Sequence, residues 1–262
     1  MTGQVLTSPR NPRVTELAKL HDPRRRRATG LTLVEGPHQL ADVVAFGAVV
    51  REVFVVADDK EGLAVAQASG ARTTTVGHSV LRRLAGTEHP RGPVAVVEVP
   101  ERDRPTAADT VVLWGVQDPG NAGAIIRSAA SFGFGVAATP GTVDLWSPRV
   151  VRTAAATQFG TRVSSLAAGA LSQLTSVGLL PAAAVAAGGI DPAMWAPERS
   201  VALIIGNEAQ GLPADVVAAI PTRLTIPLDG GVESLNAAVA AGILMYALSR
   251  HRKPRSAHSS SN

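Results

Sequence analysis

Between residues 111 and 228 the chain repeats one pattern: a short, unbroken apolar run, then a break into polar residues. No other feature restricts the fold as strongly. Residues 111–115, 136–138, 180–187, 201–205 and 224–228 have strand length and carry apolar residues with little alternation. A strand with one face in water alternates polar and apolar positions. A run without alternation is covered on both faces, as in a parallel sheet flanked by helices. Helical stretches at 122–132 and 147–158 intervene, and a final helix at 234–250 is almost wholly apolar from Ala237 to Leu248. The expectation is an α/β domain over 109–252 with a parallel sheet.

A second alternating series precedes it. Strands are expected at 31–34, 49–56, 73–76 and 94–99, with helices at 38–46, 61–69 and 78–85. Alternating β and α elements of this size make a small α/β domain, here 31–99. Residues 100–108 open with a charged, proline-bracketed stretch, Pro100 to Pro105, that reads as a linker. Residues 1–30 are polar and rich in Pro and Arg. They read as a basic, partly flexible arm with one short helix around 14–20. The Ser- and Arg-rich end, 253–262, reads as a disordered tail. No internal repeat is evident.

The 262 residues suit one large domain or two modest ones. Aromatics make up only 3%, so the core must come from Ala, Val, Leu and Ile. Cysteine is absent, which excludes disulfides and thiolate metal sites and fits a cytoplasmic setting. No run reaches the length of a membrane span, and no signal-type apolar core opens the chain. The net charge of +4 is unevenly placed. Arg10, Arg13, Lys19 and Arg24–Arg27 load one end, and Arg250, Arg252, Lys253 and Arg255 the other. Arginine forks grip phosphate oxygens in pairs, so the pattern points to nucleic acid. With few aromatics, sequence-tolerant base stacking is not the expected mode.

Ligands of parallel α/β sheets sit outside the carboxyl ends of the strands. Three polar loops meet that description. The first is Gln117-Asp118-Pro119-Gly120-Asn121-Ala122-Gly123, leading to Arg127. The second is Gly206-Asn207-Glu208-Ala209-Gln210-Gly211. The third is Leu228-Asp229-Gly230-Gly231-Val232-Glu233-Ser234-Leu235-Asn236. Glycines let backbone approach a ligand closely. In the third loop, Ser234 is placed as the helix N-cap and Glu233 sits favourably for the helix dipole. Other chemistries fit poorly. The first loop is not Gly-x-Gly-x-x-Gly and no Gly-Lys-Ser/Thr phosphate loop exists, which argues against an ordinary Rossmann nucleotide enzyme. The histidines show no metal-ligand spacing, so no metal is expected. There is no Gly-x-Ser-x-Gly elbow, and Ser234 has no evident His partner.

The three loops together resemble the motifs of the SpoU/TrmH branch of the SPOUT methyltransferases. Motif 1 is matched by Asn121…Gly123…Ile126-Arg127-Ser128-Ala129…Phe132-Gly133, and motif 2 by Ile205-Gly206-Asn207-Glu208…Gly211-Leu212. Ile226-Pro227-Leu228…Glu233-Ser234-Leu235-Asn236…Val239-Ala240 matches motif 3. Arg10-Asn11-Pro12 and Val34-Glu35-Gly36 are similar to the substrate-binding domain often attached to that branch. The departures are Ala209, where the family often has Gly, and Ala237-Ala238, where Val-Ser is more usual.

The resemblance implies methyl transfer from S-adenosylmethionine to a ribose 2′-hydroxyl of RNA, with large-subunit rRNA preferred and tRNA an alternative. It also implies a deep trefoil knot in the parallel-sheet domain and a homodimer through that domain. Arg127, Asn121, Glu208, Ser234 and Asn236 would form the catalytic set. Leu203, Ile205, Gly206, Ile226, Leu228, Ser234 and Leu235 would hold the cofactor. RNA would meet Arg10, Arg24, Arg25, Arg26, Arg27, Glu35 and Arg127. A non-catalytic RNA-binding protein on the same fold is the competing reading; it should lack one of the polar loop positions, and all are present.

Overall fold

The computed structural model describes residues 5–100 and 104–251. Arg252, Lys253, Arg255, the expected tail at 253–262 and part of the expected linker lie outside the described residues. In chain order the elements begin with α1 (Pro12–Ala18), α2 (Pro23–Thr29), β1 (Leu31–Glu35), α3 (Pro37–Ala45) and β2 (Val50–Val55). Next come α4 (Lys60–Ala68), β3 (Arg72–Thr75), α5 (His78–Ala85), β4 (Val94–Glu98) and β5 (Thr110–Leu113). They continue with α6 (Pro119–Phe132), β6 (Gly135–Ala138), α7 (Pro148–Thr153), β7 (Val163–Ser165) and α8 (Ala170–Ser176). The last are β8 (Leu180–Ala184), β9 (Val201–Ile205), α9 (Ala214–Ala219), β10 (Thr222–Leu224) and α10 (Ala237–Arg250).

Two compact units result, and they are not cut at a single point in the chain. The first contains the described residues through 100 together with Asp118–Arg127 and Val143–Arg162. The second contains the residues from 104 through Gln117, then Ser128–Thr142, then Val163 onward. The opening part of α6, through Arg127, therefore groups with the first unit, and its last turn with the second.

In the first unit a four-stranded sheet runs β1-β4-β2-β3. β4 is antiparallel to both β1 and β2, while β2 and β3 are parallel. Val14, Leu20, Leu33, Phe54, Val80, Leu84 and Val96 fill one face of it. The other face buries Val34, Leu40, Val43, Val53 and Ala95 with Val151, Ala156 and Phe159 from the inserted 143–162 segment. Each buried aliphatic side chain of this size contributes roughly 1.5–3 kcal/mol.

Residues 23–29, expected as part of a basic, partly flexible arm, are the helix α2. Asp22 Oδ1 accepts from the Arg24 N–H at 2.8 Å, Pro23 stands at the first helical position, and Gly30 closes the helix at φ +64°. That Asp-Pro start and Gly stop are ordinary helix boundary signals, masked in the sequence by the arginine run.

The second unit is a six-stranded parallel sheet in the order β10-β8-β9-β5-β6-β7. This is the parallel α/β architecture that the unbroken apolar runs imply. Three local expectations are corrected. Helix 147–158 ends at Thr153, because Ala155 and Ala156 turn to positive φ (51° and 58°) before a short 3-10 helix at Thr157–Phe159. Strand 224–228 is instead Thr222–Leu224. Beyond it the Thr225 N–H donates to the Ile190 carbonyl at 3.0 Å and its hydroxyl to that of Val185 at 3.1 Å, so the chain leaves the ladder. The last helix begins at Ala237 rather than at Ser234: Asn236 Oδ1 accepts from Ala238 and Val239 N–H at 2.9 and 3.3 Å, which makes Asn236 the cap. The sequence pattern does not announce β7, α8 and α9, which are only 3, 7 and 6 residues long. Among the described residues, no helix is long and apolar enough to cross a membrane.

Candidate active site

The chain lays down β5, β6 and β7 outward on one side, then returns with β9 beside β5 on the other. The strand order therefore reverses between β5 and β9. An open parallel sheet splays its loops apart at such a reversal and leaves a crevice at the carboxyl ends. Leu113 of β5 lies opposite Ile205 of β9, so the loops after both strands leave the sheet at one level. The loop after β10 leaves from the same edge, because β8 is parallel to both β9 and β10.

The first two loops are tied together. Asn207 Nδ2 donates to the Gly115 carbonyl at 2.8 Å. Asn207 Oδ1 accepts from the Ala209 and Gln210 N–H groups at 2.9 and 3.2 Å, which closes the turn. The backbones of Asn207 and Gly211 exchange two further bonds, at 3.0 and 2.8 Å. Gly206 sits inside this turn, where a Cβ would lie 2.6 Å from the Leu212 nitrogen, so no larger residue fits. Gly115, at φ +68°, donates its N–H to the Thr139 and Thr142 hydroxyls. Glu208 is exposed, and one of its oxygens accepts from the Gln117 N–H at 3.3 Å. A carboxylate is thus held at the reversal point by a backbone donor.

The third loop is exposed from Pro227 to Ser234, with Leu235 half-buried. Leu228 and Val232 leave apolar surface uncovered there. Gly206, Ile226, Leu228, Ser234, Leu235, Glu208 and Asn236 all belong to the second unit. Leu203 does not fit its expected place among the cofactor-holding side chains: its exposure is 0%, and a side chain with no free surface cannot line a ligand. Ile205 is nearly as enclosed. Both pack within the sheet, whereas Leu228 and Val232 on the third loop are exposed.

Asn121 and Arg127 lie in the part of α6 that belongs to the first unit. Asp118 starts this helix, its Oδ1 accepting from the Asn121 N–H at 2.8 Å, and Pro119 takes the first helical position. Asn121 is half-buried and Arg127 exposed. Gly123, one turn before Arg127, is buried against α7: a Cβ there would lie 2.5 Å from the Thr153 Cβ and 2.9 Å from the Ala154 nitrogen.

The expected RNA set divides. Arg10, Arg24 and Arg27 are exposed. Arg25 pairs with Glu16, whose carboxyl is held below the usual carboxylate range by the Lys19 hydrogen bond and then by the Arg25 charge. Arg26 is a correction. Only 3% exposed, it donates to the Leu20 carbonyl at 2.6 Å and to Asp144 at 2.6 and 3.0 Å, leaving no fork for a phosphate. Glu35 is also turned inward. One oxygen accepts from the Arg91 N–H at 2.8 Å and the other pairs with Arg152. Sequence reasoning missed the roles of Asn207, Thr139, Thr142 and Thr153, because each depends on a partner at least 24 residues away. Among the described residues, no group of three or more His, Asp or Glu is placed to hold a metal ion.

Glycine-bearing loops pinned at the reversal of a parallel sheet, with a carboxylate and amide side chains at their rims, define a ligand-binding enzyme of the open α/β class. Residues 109–246 match the SpoU rRNA Methylase family, and residues 11–95 match the MRM3-like substrate binding domain. The chain belongs to the SpoU family of RNA methyltransferases. It is 30% identical to the 23S rRNA (guanosine(2553)-2′-O)-methyltransferase RlmP of Bacillus subtilis, over 93% of this chain and 98% of that protein. Its fold is similar to that of an AdoMet-bound rRNA methyltransferase from Sinorhizobium meliloti, with TM-score 0.82 and 26% identity over 95% of this chain and 98% of the other. It is likewise similar to AviRb of Streptomyces viridochromogenes in complex with AdoMet, with TM-score 0.82 and 25% identity over 92% and 98% of the two chains.

Proposed function

We propose that this protein methylates a ribose 2′-hydroxyl of large-subunit rRNA in the cytoplasm, with S-adenosylmethionine as methyl donor. The observation that carries the reading is the pinned pair of loops at the β5/β9 reversal, with Glu208 held between them. Gly206 and the exposed third loop fit an adenosyl group, because the turn admits no side chain and Leu228 and Val232 lack a cover. The donor supplies a sulfonium methyl: the 2′-oxygen forms the new C–O bond as the C–S bond breaks and a neutral thioether leaves. The protein's task is then chiefly to hold the reacting atoms about 3–3.5 Å apart and in line. The large-subunit preference draws support from the 23S rRNA activity of the Bacillus subtilis relative.

Arg127 is assigned to grip and orient the ribose-phosphate. A guanidinium keeps its proton and offers five N–H donors in a fixed fork, which suits gripping phosphate oxygens rather than accepting a proton. The hydroxyl proton therefore passes to the substrate phosphate or to water. The exposed cations Arg10, Arg24 and Arg27 supply sequence-independent attraction to RNA, and the first unit selects the substrate.

A homodimer through the second unit is part of the same reading, as is the trefoil knot. On α10, Val239, Ile243 and Tyr246 form one apolar row at helical spacing, 51%, 39% and 55% exposed. Such a row finds cover in a second copy.

The test is to map ribose methylation in rRNA and tRNA from cells with and without the gene, alongside calorimetric titration of S-adenosylmethionine. A 23S site lost with the gene and restored by wild type, but not by Arg127→Ala, supports the proposal. A protein that binds no S-adenosylmethionine, or an unchanged methylation map, overturns it.

A further inference from the structure

Segment Val143–Arg162 lies within the stretch matching the methylase family, yet it belongs to the first compact unit. Three polar ties fasten it to the α2–β1 stretch. Arg26 pairs with Asp144, the Thr32 hydroxyl donates to the Trp146 carbonyl at 2.6 Å, and Glu35 pairs with Arg152. The second Asp144 oxygen accepts from the Trp146 N–H at 2.9 Å, so the carboxylate also shapes the turn that leads to α7. The C-terminal end of α7, Thr153–Ala154, is the surface on which Gly123 of α6 rests without room for a Cβ. Arg127 follows Gly123 by one helical turn.

Two of these ties are ion pairs with one partner almost fully buried, Arg26 at 3% and Glu35 at 8% side-chain exposure. Buried ion pairs are poor stabilisers compared with apolar packing, because desolvation offsets the attraction. The Glu35–Arg152 pair is also imperfect: Arg152 Nε is buried without a hydrogen-bond partner. What directional bonds do provide is a fixed register. Displacement of α7 would be felt at once by α6, since the Gly123 contact leaves no slack.

We propose that the Arg26–Asp144 and Glu35–Arg152 pairs are positioning devices that set the N-terminal part of α6, and with it Asn121 and Arg127, against the α2–β1 stretch. Glu35 and Arg26 then serve methyl transfer without touching RNA. The catalytic half of this inference rests on the role proposed for Arg127; the positional half does not.

The experiment compares full-length wild type with Glu35→Gln, Arg152→Met, their double variant and Asp144→Asn. Hydrogen exchange is followed at the amides of 121–127, with the buried half of α10 as internal control, in the absence of any ligand. Expected is an exchange rate at 121–127 raised by about fivefold in each single variant, with α10 unchanged. Single-turnover methylation of rRNA from cells lacking the gene should fall by about tenfold, with the RNA KM within about twofold and S-adenosylmethionine affinity unaltered. The double variant should be no worse than either single one, since both remove the same pair. Unchanged exchange at 121–127 in a folded variant overturns the inference, as does a loss confined to KM. Should Glu35→Gln fail to fold, Asp144→Asn decides, its carboxylate being partly exposed. A wild type that methylates no ribose defeats the functional reading, while the exchange data still decide the positioning.

Discussion

Asn207 Nδ2 reaches the Gly115 carbonyl oxygen at 2.8 Å, and this bond joins the loops after β9 and β5 where the sheet reverses. The other end of the same amide closes the Asn207–Gly211 turn, so one side chain sets both loops. Asn207→Ala leaves at least one backbone acceptor and two donors without their partner, a loss of about 1–3 kcal/mol. The expected result is a drop of about tenfold or more in S-adenosylmethionine affinity by calorimetry, with thermal unfolding lowered by a few degrees. Asn207→Asp should do comparable damage, because a carboxylate would meet the carbonyl instead of donating to it.

Capping and chemistry separate on the third loop. Asn236 caps α10, so Asn236→Ala should cost about 1 kcal/mol in urea unfolding. Ser234 lies two residues before the cap and is exposed. Ser234→Ala should leave unfolding within about 0.5 kcal/mol of wild type yet reduce methyl transfer, if the exposed hydroxyl faces the ligand. A Ser234→Ala protein with full activity would remove Ser234 from the site.

Ala155 and Ala156 hold the left-handed conformation without glycine. This geometry costs an L-residue roughly 1–2 kcal/mol. Ala155 is partly exposed and Ala156 fully enclosed. Ala155→Gly should therefore stabilise the protein by about 0.5–1 kcal/mol, whereas Ala156→Gly gives back part of the gain through poorer packing. Denaturant midpoints of the two variants, at equal slope, check the ranking.

The arginine run should behave as two classes. Arg24→Gln with Arg27→Gln should weaken RNA binding and flatten its salt dependence by roughly 0.7 in log–log slope for each phosphate no longer neutralised. Cofactor affinity should not move. Arg26→Gln should instead lower stability by about 3 kcal/mol, because it strands the Asp144 carboxylate. Filter binding across a salt series, beside melting curves, distinguishes them. Equal behaviour of all three positions would contradict the buried placement of Arg26.

Much of the architecture could be read directly from the chain. The unbroken runs at 136–138 and 201–205 lie in β6 and β9, and 111–113 of the run 111–115 in β5, which ends at Leu113; apolar side chains of this density need cover on both faces of a sheet. Where the sequence misled, the deciding partner was distant. The apolar run 224–228 looks like strand, yet Thr225 bonds laterally to Val185 and Ile190. Helix 147–158 is interrupted at Ala155–Ala156, with neither Gly nor Pro to announce it. Residues 23–29 carry good boundary signals, but four arginines in succession suggest solvent, and only the Asp144 carboxylate reveals that one of them is interior.

The parallel sheet and the three polar loops were legible in the chain through periodicity and closely spaced glycines, and the motif residues in those loops carried the family resemblance. The partners those groups meet are set by the folded chain. The fold tied the two loops through Asn207, enclosed Leu203 in the sheet, and made Asn236 rather than Ser234 the cap. It also turned Glu35 and Arg26 inward to hold the segment behind Arg127. The reason is physical: burial and hydrogen-bond partnership are properties of pairs of residues, here separated by as many as 118 positions, and periodicity along the chain does not carry them.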